Sequence, residues 1–227
     1  MHETGLTLRV QDLINNPVPR VPVSLVLDCS GSMTGAPIEE LRVGVEKFIK
    51  EVADNEYAKD SAEICVVTFG GHVECLLDFG HVERQSQNIP LFSASGGTPM
   101  DQAVNMALDK LEERKQEFKD NGVQYYQPWM VLMTDGQPTE NINKSTTRTQ
   151  ELVNNNKLTV FPLGIGDKAD MDELERYSPK RPPLKLKGLC FSEFFEWLSA
   201  SVERVSQSIP GDKIDLDIDG IKEWTTL

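Results

Sequence analysis

The stretch Val23-Ser24-Leu25-Val26-Leu27 is apolar apart from Ser24 and does not alternate, so a strand built from it must be covered on both faces. Such a strand needs helices on either side of its sheet, and the chain supplies them. After residues 31–37, Ile38, Leu41, Val45, Phe48, Ile49 and Val52 recur at three- and four-residue steps, with Pro37 at the helix start. Residues 62–69 and 72–77 are strand-like and flank Gly70-Gly71, which predicts a hairpin with one antiparallel strand beside parallel neighbours. Thr98-Pro99 reads as a helix start, with the hydroxyl at the cap and proline in the first turn, followed by a stripe of Met100, Ala103, Val104, Ala107, Leu108 and Leu111. A strand over 129–134, a helix around 147–155, a strand over 158–163 and a last helix marked by Phe191, Phe194, Phe195, Leu198, Val202 and Val205 complete the alternation. The predicted class is α/β: a doubly wound, mostly parallel sheet with one antiparallel edge strand, helices on both faces and right-handed crossovers.

The segments outside this alternation divide the chain into an arm over residues 1–20, a domain over 21–207 and a tail over 208–227. In the arm, Leu6, Leu8 and Val10 alternate with polar residues before Asn15-Asn16-Pro17 breaks the pattern, which predicts a short strand and a turn. In the tail, Ile214, Leu216 and Ile218 share one face of an expected edge strand. The overlapping run of Asp215, Asp217, Asp219 and Gly220 begins like a calcium loop but places Thr226 where the bidentate glutamate belongs.

Composition narrows the partners. A net charge of -13 over 227 residues disfavours nucleic-acid backbones and anionic membrane surfaces, which are recognised through lysine and arginine. No apolar run approaches the ~20 residues of a membrane helix, and the first residues lack a basic-then-apolar leader, so a cytoplasmic location is expected. The cluster Lys180, Arg181, Lys185 and Lys187 reads as a solvated loop and strand edge, with an acidic-partner contact as its alternative. Cys29, Cys65, Cys75 and Cys190 have no paired metal-ligand spacing and read as small buried hydrophobes. A two-residue turn at Gly70-Gly71 would set Cys65 opposite Leu76, on the other face of the sheet from Cys75, and so exclude a bridge.

The chemistry gathers at strand ends, where open α/β sheets bind ligands. Asp28, Ser30 and Ser32 follow the first strand at two-residue spacing and offer one carboxylate and two hydroxyls to a hard divalent cation. Two further segments, Ser95-Gly96-Gly97-Thr98-Pro99-Met100 and residues 133–139, place oxygen donors at strand ends or in the loops that follow. Gly31, Gly96, Gly97 and Gly136 are expected to let the backbone come close or take positive φ. The small, monodentate, hydroxyl-rich set favours Mg2+, with Mn2+ or Ca2+ as alternatives.

At these residues, over about 21–206, the chain resembles the von Willebrand factor A family. There D-x-S-x-S, a loop threonine and a later aspartate form the metal-ion-dependent adhesion site. The resemblance implies that the metal ligands are Asp28, Ser30, Ser32, Thr98 and Asp135, two aspartates and three hydroxyls that neutralise a divalent ion yet leave it short of one anionic oxygen, and that a partner protein supplies a Glu or Asp carboxylate. Residues 127–139 and 160–167 are similar to the TerY proteins of bacterial tellurite resistance. That branch implies a cytosolic role in stress or toxic-anion resistance beside kinase-like and phosphatase-like partners. An enzyme is not expected: no G-x-S-x-G elbow or phosphate loop occurs, and His2, His72 and His81 are read as lying away from the metal end. The alternative from another class is a metal-assisted phosphohydrolase or other hydrolase using the same ion.

Overall fold

The computed structural model describes residues 2–211 and 225–226. The described strands form a seven-stranded sheet in the order β3-β2-β1-β4-β5-β6-β7. Strand β1 (Val21–Asp28) is buried at every position and pairs in parallel with β2 (Ala62–Gly70) on one side and β4 (Trp129–Thr134) on the other. Parallel pairing continues through β5 (Thr159–Ile165) to β6 (Leu184–Leu186). The predicted antiparallel edge is β3 (His72–Leu77), and a second antiparallel edge not read from the sequence, β7 (Thr225–Thr226), closes the other side.

Both faces are covered, as the first strand requires. On one face β1 contributes Val21, Val23, Leu25 and Leu27 to a core shared with α2 (Ala36–Asp54), α3 (Val82–Ser86) and α7 (Phe191–Ser206). On the other, Val26 and the β4 residues Met130 and Leu132 meet α4 (Met100–Asp120), α5 (Asn143–Asn154) and α6 (Met171–Glu175). Burying each phenylalanine or leucine of α7 contributes about 1.5–3 kcal/mol over leaving it exposed. The α2–α7 contact is close because Gly44 has no side chain: a Cβ there would lie 2.6 Å from Phe195 Cδ2.

The arm differs from its expected form. Residues His2–Asn15 are a helix, α1, whose Leu13 packs with Phe118 and Val123 in a small satellite core. Leu6, Leu8 and Val10 fit a two-residue period, but Leu6, Val10 and Leu13 fit a helical one equally well. The helix is held by ions: Arg9 Nη1 lies 2.9 Å from Asp78 Oδ2, and Arg9 Nη2 lies 3.1 Å from Glu117 Oε2. Beneath it, Arg114 grips Glu63 through Nε–Oε2 at 2.6 Å and Nη2–Oε1 at 2.7 Å, all of it buried. Arg20 adds a second cation 3.3 Å from Glu63 Oε1 and donates to the carbonyls of Asn16, Val18 and Asp60. The tail strand and calcium-loop readings fall on residues outside those described.

The hairpin also departs from expectation, by a single residue. Gly70 pairs with His72, leaving Gly71 alone in the turn at φ 72°, and Val67 pairs with Cys75 before a bulge between Val66 and Val67. A one-residue slip moves side chains to the opposite face. Cys65 and Cys75 therefore share a face, with their sulfurs 3.9 Å apart. The hairpin turn also lies at the sheet end where Asp28 sits, because β2 runs parallel to β1. His72 is thus at that end and not away from it, although its imidazole is exposed and faces Glu74 at 3.5 Å.

Candidate functional site

Strand order places the oxygen donors. Strands β1 and β4 are parallel neighbours with Leu27 beside Met133, so Asp28 and the Thr134-Asp135 pair leave the sheet side by side. Asp28 is fully buried. Its Oδ1 accepts the Ser30 backbone N–H at 2.7 Å, and its Oδ2 accepts the Thr134 hydroxyl at 2.5 Å. The chain of polar contacts continues through Ser30 Oγ and Ser32 Oγ, 2.9 Å apart, to Asp135 Oδ1, which accepts from Ser32 Oγ at 2.7 Å. Four of the five predicted donors are thus joined by direct hydrogen bonds.

Thr98, the fifth, comes in on a loop stitched to the first. Ser95 N–H donates to Cys29 O at 2.8 Å, Gly31 N–H to Gly96 O at 2.9 Å, and Gly71 N–H to Gly97 O at 2.9 Å. The Thr98 carbonyl accepts from Thr139 N–H at 3.1 Å, which ties the loop after β4 to the same residue. Thr98 is not the helix cap that its sequence suggests. Pro99 occupies that position and the helix takes no side-chain cap bond, so the buried Thr98 hydroxyl is not spent there.

The glycine expectation holds in part. Gly96 adopts φ 67°, and a Cβ on it would lie 2.4 Å from Gly71 Cα, so only glycine allows the two loops to touch. Gly31, Gly97 and Gly136 have no positive φ; a Cβ on Gly97 would meet only Thr139, and one on Gly136 would meet nothing. Gly136 contributes through its backbone instead, with its N–H 3.3 Å from Thr134 Oγ1.

Sequence reasoning passed over Thr134 as a strand end, yet it is the buried hydroxyl that bridges Asp28 and the turn at Gly136. Its signal was position: a hydroxyl residue closing a fully buried strand directly before an aspartate. Gly70 was missed in the same way. A Cβ on it would lie 2.0 Å from Cys29 O, so the end of β2 helps set the loop that carries Ser30 and Ser32.

The electrostatics are unbalanced. Burial pushes the Asp28 carboxyl above the ordinary carboxylate range, and the Asp135 charge pushes the same way against the bonds from Ser30 and Thr134. Among the described residues neither aspartate forms an ion pair, although cations neutralise carboxylates elsewhere in the domain. The basic cluster does not serve them: Lys185 bonds Asp167 at 2.8 Å, Lys180 bonds Asn156 at 2.7 Å, and Arg181 lies over the Phe161 ring. An all-oxygen donor set with two adjacent uncompensated carboxylates fits a hard divalent cation. The histidine- and thiol-rich sets that softer ions select are a different chemistry.

The family model for the von Willebrand factor type A domain matches residues 23–184. Uncharacterized protein sll0103 of Synechocystis is 25% identical over 161 residues, covering 69% of this chain and 35% of that protein. Inter-alpha-trypsin inhibitor heavy chain H6 of Homo sapiens is 26% identical over 164 residues, covering 69% and 12%. The chain therefore spans about a third or less of the length of these relatives. Among solved structures, the vWF domain of the type V pili tip protein Mfa5 from Porphyromonas gingivalis superposes with a TM-score of 0.62 at 12% identity, over 87% of this chain and 99% of that one. The manganese-loaded TRAP protein of Plasmodium vivax gives a TM-score of 0.53 at 19% identity, over 72% and 64%. At these identities the structural matches speak for the fold.

Proposed function

Because the chain belongs to the von Willebrand factor type A family, whose members are often metal-dependent and protein-binding, we propose that it is a metal-dependent protein-binding module. Asp28, Ser30, Ser32, Thr98 and Asp135 are the residues that would hold the ion, with Thr134 orienting Asp28 from behind. The single observation that carries this reading is the pair of neighbouring carboxylates, linked through Ser32 and without a counter-cation among the described residues. When bound, a divalent ion supplies Lewis-acid attraction for one further anionic oxygen. The chain's own residues would orient the donors and keep the Asp28 carboxylate from solvent.

The partner of this reading presents a Glu or Asp carboxylate within a neutral or basic rim, since the net charge of -13 repels a wholly acidic surface. Mg2+ is the proposed ion, on the small, hydroxyl-rich donor set; Mn2+, the metal in the TRAP relative, is the alternative. We also place the module in a cytoplasmic stress or toxic-anion resistance system, beside kinase-like or phosphatase-like proteins. The support is the similarity of residues 127–139 and 160–167 to the TerY branch. Among the described residues no helix is long and apolar enough to cross a membrane.

Affinity capture from lysate with Mg2+ or with EDTA, run beside Asp28→Ala, tests the binding role. Capture should be lost on chelation and in the variant while the variant stays folded. A partner that survives both treatments would refute the metal bridge. Mg2+-dependent turnover of phosphoesters that disappears in Asp135→Ala would replace binding with hydrolysis.

A further inference from the structure

The shifted hairpin register creates a thiol pair away from the metal-binding loops. Cys65 is fully buried on β2, and Cys75 is half-buried on the edge strand β3, with the two sulfurs 3.9 Å apart. Asp78, just beyond β3, has a carboxylate oxygen in the same cluster, all three ligand atoms lying within 4.8 Å of one another. Two cations face the cluster from other elements: Lys110 Nζ of α4 at 3.0 Å and Arg9 Nη1 of α1 at 2.9 Å, both from Asp78 Oδ2.

Two chemistries suit two thiols beside a carboxylate: a soft metal ion, or oxidation to a disulfide. The surroundings decide between them. Asp78 already accepts bonds from both cations and from the Phe79 N–H, so a zinc ion would have to displace the lysine and arginine or sit against their charges. Lys110 and Arg9 favour a thiolate at Cys75 against the opposing charge of Asp78, and the thiolate is the reactive form in oxidation. The contact between the two sulfurs lowers the Cys75 thiol against its partial burial and the Asp78 charge, while the same contact and full burial raise the Cys65 thiol. Burial assigns the roles: half-buried Cys75 on the edge strand is the sulfur that an oxidant reaches, and fully buried Cys65 is its sheltered partner.

We propose that Cys65 and Cys75 form a reversible intramolecular disulfide across the β2–β3 hairpin in response to hydroperoxides. The Cys75 thiolate attacks the peroxide, taking one oxygen to become a sulfenic acid, while the other oxygen leaves as hydroxide or alkoxide and takes up the proton that the Cys75 thiol released, giving water or alcohol. The Cys65 sulfur then attacks the Cys75 sulfur, its proton goes to the departing hydroxyl, and one water is released as the S–S bond forms. The two sulfurs together lose two electrons and the peroxide gains them. From 3.9 Å the sulfurs must close to about 2.05 Å. The bridge would staple the hairpin whose Gly71 N–H holds the Gly97 carbonyl, one residue from Thr98.

The test uses the full reduced chain, treated with hydrogen peroxide and then alkylated, with peptide mapping by mass spectrometry. Two of the four thiols should be lost to alkylation, in a single linked peptide pair containing Cys65 and Cys75, and recovered with dithiothreitol. Cys65→Ser should leave Cys75 as a sulfenic acid trapped by dimedone, and Cys75→Ser should leave Cys65 alkylatable after denaturation. Four alkylatable thiols after peroxide, or a Cys75 sulfinic acid with no linked peptide, would overturn the proposal. Protection of both thiols by Zn2+ alone, in a protein that peroxide does not cross-link, would do the same. The wild-type mapping decides the question even where a serine variant fails to fold.

Discussion

Replacing Asp28 with asparagine separates the charge of the carboxylate from its shape. The substituted amide would keep one oxygen to accept the Ser30 N–H, and its nitrogen could donate to Thr134 Oγ1 once that hydroxyl rotates, so both contacts of the buried side chain survive. What disappears is a desolvated negative charge beside Asp135. In EDTA the variant should therefore be as stable as wild type or more so, by up to about 1 kcal/mol, since a buried unpaired charge opposes folding. With metal the order reverses. An ion present at a hundred times its dissociation constant stabilises the protein that binds it by about 2.7 kcal/mol. At roughly 2–4 °C per kcal/mol for a chain of this size, wild type should gain ~5–11 °C in melting temperature on adding Mg2+ or Mn2+. Asp28→Asn should gain almost nothing. Thermal unfolding by circular dichroism in EDTA and in millimolar metal reads both numbers from the same samples. An equal metal shift in the variant, or no shift in wild type with either ion, would show that the strand-end oxygens do not form the site.

The same carboxylate predicts a pH dependence. Its pKa is raised on folding, so between the ordinary carboxylate range and that raised value the folded state holds the extra proton, and stability falls as pH rises through the window. In EDTA, the melting-temperature gap between wild type and Asp28→Asn should narrow on acidification from pH 7 into the window; a constant gap contradicts the assignment. Glu63→Leu should lose about 3–5 kcal/mol in urea unfolding, because it strands the buried guanidinium groups of Arg114 and Arg20. A loss below about 1 kcal/mol would mean that they find other partners. Gly44→Ala should cost about 1–3 kcal/mol by forcing Phe195 out of its place against α2, visible as a lower denaturant midpoint with metal binding intact.

The elements that the sequence revealed are those whose pattern admits a single period. Val23 to Leu27 cannot be half-exposed, and the phenylalanines of α7 fall on one helical stripe, so β1 and α7 were legible almost to the residue. The arm was not, because Leu6, Leu8 and Val10 fit strand spacing while Leu6, Val10 and Leu13 fit helix spacing, and the decision came from Leu13 docking on Phe118. The short helix α6 did leave a signature that was overlooked: Asp170 caps it by accepting the Glu173 N–H at 3.0 Å. At the site, Asp28, Ser30, Ser32 and Asp135 could be grouped from their positions after strands. The closeness of Cys65 and Cys75 could not, since it depends on a bulge and a one-residue turn that no local residue preference specifies.

Arg20 and Asp28 bracket the same strand, eight residues of β1 spanning roughly 26 Å. At one end the guanidinium is anchored to the carbonyls of Asn16, Val18 and Asp60; at the other, the carboxylate faces whatever the site holds. A pull applied between a captured partner and the preceding chain would run straight along β1. Both of its ladders are parallel, with β2 and β4 gripping it on either side, so the load would shear many hydrogen bonds together instead of peeling them one at a time. The strand that presents the site is thus also the member best placed to bear tension through it.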